Sequence, residues 1–142
     1  MNEIKIIIGK EYPDVASKLI AEAQKSLKIL VFDWRWYPHD PGSVAQRFNN
    51  SVVQARQRGI EIKAITPVKE TIRRLQEQRI QGKNLDTGKL VHPKLMIIDD
   101  KHVIIGSHNF TMNAFTRNYE LSVLIKNCDC IDKFLEYFNN LF

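Results

Sequence analysis

The sequence predicts an α/β fold, a mixed β-sheet flanked by helices on both faces, on three observations. Short runs of β-branched and aliphatic residues alternate with segments whose apolar positions recur at helical spacing, in the order βαβαβα followed by several strands. No low-complexity tract or internal repeat interrupts that order. A length of 142 residues with 44% hydrophobic residues is enough for one core, so residues 1–142 read as one domain.

Each element has its own local reason. Ile4 to Ile8 form an apolar, β-branched strand. A helix opens at Pro13 and carries Val15, Leu19, Ile20, Ala23 and Leu27 on one side. The strand ILVFDW follows. Ser43 is placed to cap a second helix running to Arg58, with Val44, Phe48, Val52 and Ala55 at helical spacing and Gly59 as its stop. IEIKAIT is the next strand, and Pro67 opens a third, more polar helix through TIRRLQEQRI that Gly82 punctuates. From Leu90 the pattern is strand, tight turn, strand; NYELSVLI is a further strand and IDKFLEYFNNLF an amphipathic closing helix.

Bulk properties narrow the class of function. The longest apolar runs, such as IKIII and LKILVF, are far too short to span a bilayer, and the start lacks the shape of a signal peptide, so a soluble, cytoplasmic protein is expected. Cys128 and Cys130 are nearly adjacent and give no disulfide framework, so reduced thiols are expected. A formal charge of +5 and a pI near 9.3 favour a polyanionic partner, nucleic acid or anionic lipid.

The stretch VHPKLMIIDD concentrates the chemistry. Side chains two apart on a strand share a face, so His92, Lys94 and Met96 point one way while Leu95, Ile97 and Asp99 point the other. A two-residue turn centred on Asp100 and Lys101 would set Lys94 opposite Ser107 and His92 opposite Asn109. Histidine, lysine, serine and asparagine together suit a phosphodiester. A neutral imidazole attacks phosphorus, while the ammonium and the amide NH2 meet the non-bridging oxygens. Glu120, at the start of the next strand, is the candidate acceptor that fixes the His92 tautomer. Asp99, on the other face, should tie the turn down and stay clear of substrate.

His92, Lys94, Asp99, Gly106, Ser107 and Asn109 together match the pattern HxK(x)4D(x)6GSxN, and on them the chain resembles the phospholipase D superfamily. Glu120, in RNYE, looks like the downstream glutamate with which family members orient the histidine. The resemblance implies the family's α-β-α sandwich, with His92, Lys94 and Glu120 as catalytic residues, Lys94, Ser107 and Asn109 as phosphate ligands, and Asp99 and Gly106 as motif support. Only one such motif is present, whereas larger members carry two. Similarity to the small bacterial nucleases of the family therefore implies a homodimer with the site at its two-fold axis and His92 of each subunit facing the other. One His92 would form a phosphohistidine and its mate would protonate the leaving oxygen, a scheme that requires no metal and no cofactor.

Substrate class rests on weaker signals. Trp34 and Trp36 fall on one face of FDWRWYPHD and Asp33 and Arg35 on the other. The tryptophans and Arg35 are possible substrate contacts, by stacking on bases or seating among lipid headgroups, and core or interface packing is the plainer reading. His102 and His108 lack metal-ligand spacing with the cysteines, and His108 should face away from Asn109. The expected function is a metal-independent endonuclease acting on DNA or RNA. A phospholipid phosphodiesterase of phospholipase D or cardiolipin hydrolase type, with membrane lipid as partner, and a non-catalytic nucleic-acid-binding or dimerisation module are the alternatives.

Overall fold

In the computed structural model, which describes residues 3–142, the strands are β1 (Glu3–Ile8), β2 (Ser26–Leu30), β3 (Glu61–Ile65), β4 (Gln81–Lys83), β5 (Lys94–Ile98), β6 (His102–Gly106) and β7 (Leu121–Lys126). The helices are α1 (Tyr12–Glu22), α2 (Val44–Gln57), α3 (Lys69–Glu77), α4 (Met112–Thr116) and α5 (Ile131–Leu141). The strands form one mixed sheet in the order β1-β7-β6-β5-β2-β3-β4. β2, β3 and β4 run parallel to their neighbours through the α2 and α3 crossovers, and every pairing from β2 to β1 on the other side is antiparallel. Among the described residues no helix is long and apolar enough to cross a membrane.

Alternation along the strands divides the core in two. Ile7, Leu27, Ile29, Met96, Ile98, Ile104 and Leu124 bury against α1 and α2, whose Ala16, Leu19, Ile20, Phe48, Val52 and Ala55 face them. Leu30, Ile65, Leu95, Ile97 and Val103 bury on the other side beneath α5, chiefly against Phe138 and Phe134. Each fully buried aliphatic or phenylalanine side chain stabilises the fold by roughly 1.5–3 kcal/mol. Helices thus lie on both faces, as expected. Ser43 caps α2 by accepting from the Gln46 N–H.

Local details depart from the sequence reading. α1 ends at Glu22, and Leu27 belongs to β2 rather than to the helix face, because beyond the C-cap Ala23 the next three backbone N–H groups are taken by a side chain from elsewhere. Asp99 accepts from the N–H of Gln24, Lys25 and Ser26 at 2.7–3.1 Å. β2 stops at Leu30; Trp34 makes only an isolated bridge to Phe110. Gly82 lies within β4 instead of ending a helix, and α4 had no counterpart in the predicted elements. Cys128 and Cys130 are joined by a disulfide, not reduced: the turn between β7 and α5 brings their Cα atoms to 5.2 Å, inside the range that a disulfide spans.

The β5–β6 turn is also one residue longer than expected. The pairs are Lys94↔Gly106 through Ile98↔His102, so Lys94 stands opposite Gly106 and not Ser107. Asp99 and Asp100 both adopt left-handed backbone (φ 55° and 54°), which draws them out of the ladder. The carboxylates explain the detour. Asp99 holds the start of β2, and Asp100 pairs with Lys25 at 3.1 Å and with the nearly buried Lys28 at 2.5 Å. Burial alone would raise the Asp99 carboxyl, but the three N–H donors outweigh it and hold the group below the usual carboxylate range.

Candidate active site

His92, Lys94, Gly106, Ser107, Asn109 and Glu120 lie where β2 ends, β5 begins, β6 ends and β7 begins, while Asp99 sits at the far end of β5. His92 precedes β5 by two positions, because Pro93 has no N–H to continue a ladder, and its ring is exposed. His92 Nε2 lies 3.3 Å from Lys94 Nζ. A charged ammonium can only donate, so Nε2 is the acceptor and the ring proton sits on Nδ1. The nitrogen facing the lysine is thus the one with a free lone pair. Lys94 is half-buried; loss of solvent lowers its amine below the usual lysine range, and the charge of Glu120 opposes that effect.

Asn109 is fixed by a bond that spans 76 positions: its Oδ1 accepts from the Asp33 N–H at 3.1 Å. With the oxygen committed to a backbone donor, the amide NH2 is turned the other way, as an anion ligand requires. The backbone reinforces this link, since Phe110 N–H donates to Asp33 O and Arg35 N–H to Phe110 O, both at 3.0 Å. Asp33 and Arg35 pair with each other at 3.1 Å.

Ser107 and Glu120 form a second unit. The Ser107 hydroxyl donates to Glu120 Oε1 at 2.5 Å and accepts from the Leu121 N–H at 3.0 Å, while Glu120 Oε2 accepts from Asn118 at 2.9 Å. The serine proton is therefore directed at the carboxylate, and Glu120 is held by its own chain's Ser107 and Asn118 instead of by its own His92. The site is assembled from separate contacts: His92 to Lys94, Lys94 across from Gly106, Ser107 to Glu120, Asn109 to Asp33, and Phe32 to His92.

Gly106 explains its own place in the motif. A Cβ there would overlap Ser122 Oγ and Cα and lie 2.5 Å from the Leu121 carbonyl oxygen, so β6 and β7 could not keep their register. Gly106→Ala is expected to cost about 3 kcal/mol, at the upper end for overpacking against backbone, and to lower activity by displacing Ser107 and Asn109; urea unfolding monitored by circular dichroism reads the first effect.

Other sequence candidates lie elsewhere. Trp34 is fully buried, its Nε1 donating to Asn49 at 2.7 Å and its ring edge-on to Phe110, so its proposed substrate contact is corrected to a core role. Trp36 stacks on Trp34 and packs against the core; Arg35 is exposed. His108 does face away from Asn109. It is buried, stacks on Tyr12 at 4.5 Å, takes the Ser122 hydroxyl at Nδ1 (2.7 Å) and donates from Nε2 to the Gly9 carbonyl (2.8 Å). Desolvation lowers its pKa, so it is a neutral anchor between β6 and the end of β1. Phe32 was not singled out in the sequence. Nothing in ILVFDW distinguishes it from a core aromatic.

Comparison with known proteins places this geometry. Residues 17–142 match the family described as cardiolipin synthase, phospholipase D-like domain. Phospholipase D of Rickettsia bellii (strain RML369-C) is 30% identical over 108 residues, covering 70% of this chain and 53% of the relative, and the 5'-3' exonuclease PLD3 of Xenopus laevis is 24% identical over 129 residues, covering 80% and 26%. The chain thus spans about half the length of the phospholipase D relatives it matches. A phospholipase D family member, Nuc from Salmonella typhimurium, shares the fold with a TM-score of 0.83 at 20% identity, over 99% of this chain and 94% of that one.

Proposed function

From the premise that the chain belongs to the phospholipase D superfamily, we propose that this phosphodiesterase is a nuclease cleaving DNA or RNA through a phosphohistidine at a site shared by two copies. The observation that carries the chemistry is the His92–Lys94 pair, with an unprotonated Nε2 beside an ammonium and the Asn109 amide turned outward. The Nε2 lone pair attacks phosphorus as Lys94 and Asn109 take the non-bridging oxygens, and the P–O bond to the leaving group breaks. The second copy's His92, as an imidazolium, gives that oxygen its proton, then takes a proton from the water that cleaves the P–N bond and so returns to the imidazolium.

Two copies are needed on physical grounds as well. The scheme needs one His92 as nucleophile and another as proton donor and acceptor, each chain supplies one, and His92 and Ser107 are open to solvent. Glu120, already gripped by Ser107 and Asn118, is available to orient the imidazole of the other copy. The +5 charge suits either polyanion, and the exonuclease among the relatives favours nucleic acid over lipid.

Plasmid and labelled single strands incubated with the protein in excess EDTA are expected to be cut, while phosphatidylcholine and cardiolipin vesicles are left intact. Product from vesicles alone would transfer the reading to a phospholipid phosphodiesterase. Salt-sensitive binding with no product from any substrate would make the chain a binding module.

A further inference from the structure

We propose that Phe32 is a positioning residue of this site, its ring holding the His92 imidazole and the Lys94 ammonium in the relation in which they act. The inference rests on the reading of His92 as nucleophile. Three contacts carry it: the Phe32 ring centroid is 6.4 Å from that of His92, Lys94 Nζ lies 6.0 Å from the same centroid, and Nζ is 3.3 Å from His92 Nε2. The three side chains close a triangle. Lysine has four side-chain torsions and histidine two, so without a third body the pair has many arrangements and few that aim Nε2 outward.

The backbone shows why this phenylalanine can be that third body. The last β2–β5 pair is Leu30↔Leu95, and the next position on Phe32's side of the ladder would face Pro93, which offers no N–H. Released from β5, the chain is pinned on both sides of Phe32: Val31 N–H donates to Ile65 O at 3.1 Å, and Asp33 N–H to Asn109 Oδ1. The ring is therefore tied to three of the polar site residues, His92 and Lys94 by contact and Asn109 through the adjacent peptide. Phe32 is only half-buried, so packing alone does not account for it. A flat apolar face beside Lys94 also removes water from one side of the amine, in keeping with the desolvation that lowers it against the opposing charge of Glu120.

Phe32→Ala and Phe32→Tyr, with Phe32→Leu where the alanine variant folds poorly, test the proposal on the full chain with a labelled oligonucleotide in EDTA. Loss of the ring is expected to lower kcat roughly tenfold to hundredfold with KM little changed, as misorientation does, and tyrosine to restore it. The alkaline limb of the kcat profile should move to higher pH in Phe32→Ala as Lys94 regains water. Without substrate, NMR of the Lys94 ε-methylene should show the ring-current shift disappear and the titration rise toward ordinary lysine. Unchanged kcat with an unmoved Lys94 titration would overturn the proposal, as would equal losses in the alanine and tyrosine variants. If the wild-type protein cleaves nothing, the nuclease reading falls, and the Lys94 resonances alone decide whether Phe32 sets the pair.

Discussion

His92→Ala is expected to abolish cleavage, lowering kcat by about four orders of magnitude or more, because in the proposed mechanism the lost group is the attacking atom and, in the second copy, the acid. The fold should be untouched: the ring is exposed, its one polar contact is with Lys94, and exposed substitutions of this kind usually change stability by under about 0.5 kcal/mol. Unfolding midpoint and sedimentation should therefore match the wild type while turnover vanishes. A second consequence separates nucleophile from general base. Substrate labelled with 32P, quenched early in turnover, should leave acid-labile, base-stable label on the wild-type protein and none on His92→Ala. Retained turnover in the variant would remove His92 from the mechanism, and turnover without trapped label would favour direct attack by water.

The clustering of the candidate site was legible because its residues lie close together in sequence. His92 and Lys94 need only two-residue spacing, and Gly106, Ser107 and Asn109 only a return strand beside β5, although the register that set Lys94 opposite Ser107 did not hold. What fixes those groups was not legible. Asn109 is oriented by the backbone of Asp33, and the His92–Lys94 pair is backed by Phe32, partners some sixty to seventy-six positions away. No periodicity within ILVFDW reports that its chain leaves the ladder at Leu30. The same segment shows how a pattern misleads: Trp34 and Trp36 alternate as a displayed aromatic pair would, yet the isolated bridge to Phe110 turns Trp34 inward to Asn49.

The turn register failed for a related reason. A two-residue hairpin is the default when only the flanking strands are considered, but Asp99 satisfies three N–H groups at the start of β2 and cannot also stay in the β5–β6 ladder. The three donors outweigh one ladder pair. Those contacts also ended α1 early and moved Leu27 into the sheet, so one carboxylate accounts for two errors at opposite ends of the sequence. The motif aspartate is thus a tie between turn and central strand, and it delivers β5 to the site at the correct height.

Ile6→Glu combined with Leu121→Glu is expected to convert the protein to a monomer and to remove cleavage together with it. The argument begins with the half of the sheet that α5 leaves bare. Ile4, Ile6 and Ile8 of β1 pair with Ile125, Val123 and Leu121 of β7, and Val123 pairs with Ile105 of β6, so all seven point to the α5 side. Ile4, Ile6, Ile8 and Leu121 are 55–62% exposed. A contiguous apolar ladder of this kind on an edge strand is an association surface or an aggregation hazard, and a second copy packed on it would answer both. It ends beside Ser107 and Glu120, where the proposed shared site would need its other half. In a two-fold interface each substitution occurs twice, so a glutamate at position 6 places two new carboxylates in the contact. Both positions are solvent-exposed in the isolated chain, so the unfolding of the monomer should be little altered. Sedimentation and the oligonucleotide assay should fall together, and mixing Ile6→Glu with Ile6→Lys should restore part of both through the oppositely charged heterodimer. A fully active monomer would show that one His92 suffices and that the bare face serves some other contact.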